Sequence, residues 1–192
     1  MTVKKCWMIA LCLCCLLCGC GSQVTETELL QQEYGRVQRA EMDAEITCHL
    51  KEENRSFTVK CQYDRDKGAT TTVVEPKELA GVSASVGGEV MSVSYDGISL
   101  PAGETVDLSP ANCLPWLLHA AAEGYVLECG SEMIDGTECL RTALDTTGES
   151  GGKVLCTAWF DRQTLVPCYI EFSRDDQIIL TVRMLSFTWE AA

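Results

Sequence analysis

Apolar residues occupy every second position in short segments along most of this chain, and that period of two most limits the folds open to it. Ala44, Ile46, Cys48 and Leu50 form one such set, and Phe57, Val59, Cys61 and Tyr63 another; Glu52-Glu53-Asn54-Arg55 between them reads as a turn. Residues 69–75 make a β-branched strand that Pro76 stops, and 82–86 with 89–95 make a pair about Gly87-Gly88. Further strands are expected over 125–130, 137–144, 153–160, 165–173 and 177–189. Tyr95-Asp96-Gly97 and Asp135-Gly136 are tight-turn signals, and 148–152 is a looser, glycine-rich loop. Two segments break the period. Over 26–39, Leu29, Leu30, Tyr34 and Val37 keep roughly helical spacing among Glu and Gln. After a loop over 101–110, Ser109-Pro110 offers an N-cap and first helical position for a helix over 111–123, which carries Leu114, Trp116, Leu117, Leu118 and Ala121 and ends at Gly124. The expected class is α+β: a single curved antiparallel sheet covered by an N-terminal helix and one inserted helix. In the last strand both parities are apolar, Ile178, Leu180 and Val182 against Ile179, Leu185, Phe187 and Trp189, so both of its faces are expected to meet apolar surface.

The start of the chain follows another logic. Lys4 and Lys5 precede an apolar stretch over 6–18 that is too short to cross a bilayer as a stable helix. Leu17-Cys18-Gly19-Cys20 closes it and resembles a bacterial lipobox. That resemblance implies a diacylglyceryl group on the Cys20 sulfur and cleavage on its amino side. Residues 1–19 would then be a lipoprotein signal peptide, 20–27 a lipidated tether and 28–192 the folded domain. Two acyl chains on one cysteine hold a protein on a membrane durably where a single chain does not. The expected location is the extracytoplasmic face of the cell membrane. Loss of 1–19 removes two lysines and no acids, so the net charge moves from −13 to −15. Such a surface repels phosphate backbones and anionic head groups, which argues against nucleic acid as a partner and leaves membrane contact to the anchor.

Seven cysteines follow Cys20, at positions 48, 61, 113, 129, 139, 156 and 168, an odd number. Cys48, Cys61 and Cys168 keep phase with apolar neighbours and read as small core hydrophobes, with a Cys48–Cys61 bridge across the hairpin left open. No CxxC occurs, and His49 and His119 stand far apart, so no metal site is expected. Nucleophile-elbow, P-loop and dinucleotide motifs are missing from the sequence. Cys113 and His119, six apart, would fall on different faces of one helix. Glu52-Glu53 and Asp175-Asp176 sit in turns, where solvated charge is the default. No catalytic residue and no cofactor is assigned, and the chain is not read as an enzyme.

Trp159-Phe160-Asp161-Arg162-Gln163-Thr164-Leu165-Val166-Pro167 resembles the Trp-x-Asp-x-x-Thr-x-x-Pro hairpin of the LolA-like half-barrel lipoproteins and lipoprotein carriers. Tyr169-Ile170-Glu171-Phe172, the turn at Arg174-Asp175-Asp176 and a final long strand follow in the same order. Asp161 and Thr164 would bond turn amides; Leu165 and Asp176 stand where glycine is usual in the family. A narrower similarity, to clostridial germination lipoproteins of the GerS type, rests on four further segments: Glu75-Pro76-Lys77-Glu78-Leu79-Ala80-Gly81-Val82, Tyr95-Asp96-Gly97, 109–126, and Asp135-Gly136-Thr137-Glu138-Cys139-Leu140. These resemblances imply a binding role of one of two kinds. A tethered protein could serve as partner or regulator of a cell-envelope or spore-germination enzyme. Alternatively, an open half-barrel groove could bind lipid, an acyl chain or a lipoprotein, with Trp116, Leu117, Leu118, Trp159, Phe172 and Trp189 as candidate lining.

Overall fold

The computed structural model describes residues 25–51, 53–87, 90–104, 108–146 and 154–192. Helix α1 is Glu26–Gly35, followed by strands β1 Val37–His49, β2 Asn54–Asp64, β3 Gly68–Glu75, β4 Ser83–Gly87, β5 Val90–Tyr95 and β6 Ile98–Glu104. Helix α2, Cys113–Glu123, precedes β7 Tyr125–Ile134, β8 Thr137–Asp145, β9 Val154–Asp161, β10 Pro167–Arg174 and β11 Gln177–Ala191. The strands form one open antiparallel sheet in the order β6-β5-β4-β3-β2-β1-β11-β10-β9-β8-β7. The N-terminal and C-terminal strands, β1 and β11, therefore meet at its centre. Both helices lie on one face, called inner here, and the core is the layer between them and the sheet. Cys20 and the glycine-rich loop over 148–152 lie outside the described residues, as does Gly88.

α1 starts at a full capping box. The Thr25 hydroxyl accepts from the Glu28 amide at 3.2 Å, and Glu28 accepts from the Thr25 amide at 2.8 Å. This helix stops at Gly35, short of the expected 39, because Val37, Ala40, Met42, Ala44 and Ile46 all face the core from β1. The sheet's alternation thus begins earlier than the helical spacing of Val37 suggested. α2 begins at Cys113 rather than 111: Ser109 and Asn112 close a turn ahead of it, the Asn112 Oδ1 accepting from the Ser109 amide at 2.7 Å. Gly124 ends it, its amide donating to the Ala120 carbonyl at 2.8 Å. A Cβ at this position would lie 2.4 Å from that oxygen.

Among the described turns, three hairpins turn on two residues each. Asp96-Gly97, Asp135-Gly136 and Asp175-Asp176 all have positive φ, as the right-handed strand twist demands of so short a connection. Leu165 (φ 57°) and Asp176 (φ 59°), the two turn positions where the resemblance implies glycine, both occupy the left-handed region. Asp176 is exposed, so Asp176→Gly removes backbone strain without losing packing. A gain of about 0.5 kcal/mol in urea denaturation is expected.

The sequence placed a loop over 101–110, but β6 runs through Pro101 to Glu104. It is an edge strand, where a missing backbone donor is tolerated. The doubly apolar last strand also has a different cause from the one expected. Pairing with β1 skips Leu185, and pairing with β10 skips Ile179. Each skipped residue is a β-bulge that shifts the parity, so that Leu180, Val182, Met184, Phe187 and Trp189 all reach the inner face while Ile178 and Leu185 stay exposed. One face of β11 is buried, not two. The Cys48–Cys61 bridge does not form: Cys48 lies opposite Arg55 and Cys61 opposite Met42, and all seven cysteines are free.

Candidate functional site

Five of the six candidate lining residues lie on the inner face. From α2, Leu117 and Leu118 drive into the core, together with Leu114, Ala120 and Ala121. Phe172 of β10 meets them fully buried, and Trp116 and Trp189 pack half-buried against the same cluster. Tyr34 fills the space between helices and sheet, stacked on Phe187 and Trp189 and edge-on to Phe160 with ring centres 5.3 Å apart. Its hydroxyl donates to the Leu165 carbonyl at 2.8 Å, anchoring α1 to the β9–β10 turn. Burial, with the Cys168 sulfur adding to it, holds the Tyr34 phenol well above its ordinary pKa and keeps it a donor. Gln31 ties α1 to the end of α2 through the Gly124 carbonyl at 2.8 Å. Five of the six candidate lining residues therefore come together, as parts of a packed layer.

Trp159 does not join them. Its neighbours Ala158 and Phe160 take the inner positions of β9, so Trp159 lies on the outer face. There its indole N–H donates to Glu132 at 2.8 Å, its ring lies 5.5 Å from that of Tyr169, and the Arg141 guanidinium sits over it at 5.7 Å.

Space remains at the margins. A cavity of about 260 Å³ opens between α1, α2 and the sheet, lined by Tyr34, Val37, Tyr63, Leu118, His119 and Glu123 among others. Pockets that enclose a drug-sized ligand usually span about 300–1,000 Å³ and are mostly apolar, and this one has a charged rim. Beyond the helices the inner face continues onto β5 and β6, where Tyr95, Ile98 and Leu100 project in register with Val93. Ile98 is 66% and Leu100 64% exposed. Reading 101–110 as a loop hid this apolar wing, although the alternation of Ile98 and Leu100 continues that of Val93 and Tyr95.

At the opposite end of the sheet, Arg162 joins α1 to β8. It pairs with Glu26 and with Glu138 at 2.6 Å, and it bonds the Ser131 hydroxyl at 3.2 Å. Hydrogen bonding from Arg162 holds the Glu138 carboxyl below its usual range. In the β9–β10 turn, Asp161 accepts from the Thr164 and Gln163 amides at 2.8 and 2.9 Å, and these bonds lower its pKa as well. Both groups have folded-state values below their unfolded ones. Their contribution is complete above the ordinary carboxylate range and is lost as pH falls through the lowered values. The melting temperature should therefore drop as pH falls below about 4, and Asp161→Asn should flatten that drop.

No group of three or more His, Cys, Asp or Glu side chains that could hold a metal ion occurs among the described residues. Cys113 is buried while His119 is exposed, so the two form no dyad. No described helix is long and apolar enough to cross a membrane.

The strand order and the two helices on one face decide the architecture. This is a LolA-like half-barrel. Solved structures are similar to it at low identity. A DUF1329 family protein from Desulfovibrio piger superposes with a TM-score of 0.54 at 12% identity, over 86% of this chain and 92% of that one. A LolA superfamily protein from Nitrosomonas europaea gives 0.49 at 11% identity, over 88% and 95%. A chain from the complex of the CwlD amidase of Clostridioides difficile with the GerS lipoprotein gives 0.40 at 16% identity, over 89% and 99%. No protein-family profile matches the sequence, and no curated protein does. The layer between this chain's helices and sheet is occupied by its own side chains.

Proposed function

We propose that this half-barrel is a lipoprotein tethered through Cys20 to the extracytoplasmic face of the cell membrane, where it acts as a non-catalytic partner or regulator of a cell-envelope or spore-germination enzyme. The observation that carries the reading is the filled layer beneath the helices: Leu117, Leu118 and Phe172, which an open groove would expose, are buried in one continuous core. The lipobox resemblance and the segments that resemble those of GerS-type lipoproteins support the tether and the kind of partner. Exposed apolar side chains continue the inner face beyond the helices instead, on the β5–β6 wing at the sheet edge. An edge strand with apolar neighbours suits a protein partner, and the acidic surface favours one with a basic face.

The uncovered wing is also what favours the alternative reading, a carrier or binder of lipid or lipoprotein, since Ile98 and Leu100 could meet an acyl chain. Membrane fractionation with labelled fatty acid, followed by affinity capture of the tagged chain, separates the two. Wild type should sit in the membrane fraction, carry label and retain an exported cell-wall hydrolase. Cys20→Ser should lose label and membrane association. Ile98→Asp with Leu100→Asp should weaken hydrolase retention at least tenfold without lowering the melting temperature. Unlabelled, unanchored wild type would overturn the tether, and retention insensitive to the wing would overturn the proposed contact.

A further inference from the structure

Cys139 and Cys168 lie on strands that do not pair with each other, β8 and β10, with β9 between them. Even so, their sulfurs are 3.9 Å apart. The reason is local. Pro167 pairs with Phe160 and Tyr169 with Trp159, so Cys168 is the extra residue of a β-bulge and has no partner across the strand. A bulge re-aims its side chain. Cys139 stands opposite Asp161, the last residue of β9, where that strand turns away and no longer separates its neighbours.

The two thiols differ in access. Cys139 is buried, and burial, reinforced by the Cys168 sulfur, pushes its pKa up to about 11. Cys168 is half-buried and lines a cavity of about 260 Å³ with Val166, Tyr169, Thr137 and Arg183. Cys48, Cys61, Cys113 and Cys156 belong to the inner core, and Cys129 is exposed on the edge strand β7. One reachable sulfur backed by one buried sulfur is the arrangement that thiol–disulfide exchange needs to finish inside a protein.

We propose that Cys168 and Cys139 are an oxidisable pair, an attacking and a resolving thiol that close to a β8–β10 disulfide when a low-molecular-weight disulfide is present. The Cys168 thiolate attacks one sulfur of that molecule, breaking its S–S bond and releasing one thiolate. Cys139 then gives its proton to solvent, and its thiolate attacks the Cys168 sulfur and expels the second thiolate. Two protein thiols are oxidised and one small disulfide is reduced to two thiols. The new bond staples the sheet beside the Asp161–Thr164 turn and closes a loop of about 30 residues, which should raise the melting temperature by up to about 10 °C.

The test is incubation of the full chain with oxidised glutathione, then peptide mapping under non-reducing conditions. Exposed Cys129 is the internal control, since no cysteine contact to it occurs among the described residues, and it should stop at a glutathione adduct. A Cys139–Cys168 linked peptide is expected in wild type. Cys139→Ser should instead trap glutathione on Cys168, and Cys168→Ser should leave Cys139 reduced. The wild-type map stands even where a variant folds poorly. Cys139 and Cys168 both reduced once Cys129 is fully modified would overturn the proposal, as would a link appearing only in denaturant or joining another pair.

Discussion

Phe160→Ala is expected to cost about 3–5 kcal/mol of folding stability, the usual range for a buried aromatic cut back to a methyl group in a packed core. Phe160 is fully buried on the inner face of β9, edge-on to Tyr34, which in turn stacks on Phe187 and Trp189. Removing the ring leaves a cavity where α1 meets the centre of the sheet, and Tyr34 cannot move to fill it while its hydroxyl holds the Leu165 carbonyl. A domain of this size has roughly 5–15 kcal/mol in all, so the variant should approach half unfolded in mild urea. Equilibrium urea denaturation with an unchanged slope reads this as a loss of packing. A cost below about 1 kcal/mol would mean that the layer between helices and sheet is loosely filled, which would revive the carrier reading.

Gly68→Ala is the second large effect, and its cause is backbone geometry. Gly68 opens β3 at φ 94°, and a Cβ there would lie 1.9 Å from the Val86 carbonyl oxygen of β4. Neither atom belongs to a flexible side chain, so β3 and β4 must part or the turn before β3 must rebuild. We expect a loss of roughly 3 kcal/mol. Its distribution should be uneven: hydrogen exchange should rise across β4, β5 and β6, which hang from β3, and least across β1, β11 and β10 at the centre. Gly97 and Gly136 also have positive φ but face open space, so alanine there should cost less.

Period and turn chemistry made most of this fold legible. The alternation in Ile46-Thr47-Cys48, the Asp-Gly turns and the stop at Gly124 locate strands and helices because each reports a local constraint. The misplaced features are those in which the sheet overrides local signals. Leu185 and Ile179 look like a second apolar face until the register with β1 and β10 shows them as bulged residues, and register is a property of two strands. Val37 fits a helix by spacing and a strand by burial, and pairing of β1 with β11 decides for the strand. Pro101 reads as a breaker, and only its place at the sheet edge permits it in β6.

The candidate lining was legible to a similar degree. Leu117, Leu118 and Phe172 follow from amphipathic phase, and the structure places them in the core. Trp159 is the instructive exception. In a strand whose burial pattern is almost uninterrupted, parity alone says which face a residue takes, and the size of tryptophan pulls the reading the wrong way. Its partners Glu132 and Arg141 come from β7 and β8, too far off in sequence to be seen beforehand.

The central claim, that the inner face beneath the two helices is filled by the protein itself and holds no carried lipid, is tested most directly by native mass spectrometry. The chain with Cys20→Ser, purified from a membrane-containing lysate, should fly at its own mass with no lipid bound. One lipid or acyl chain retained at a fixed one-to-one ratio would contradict the account.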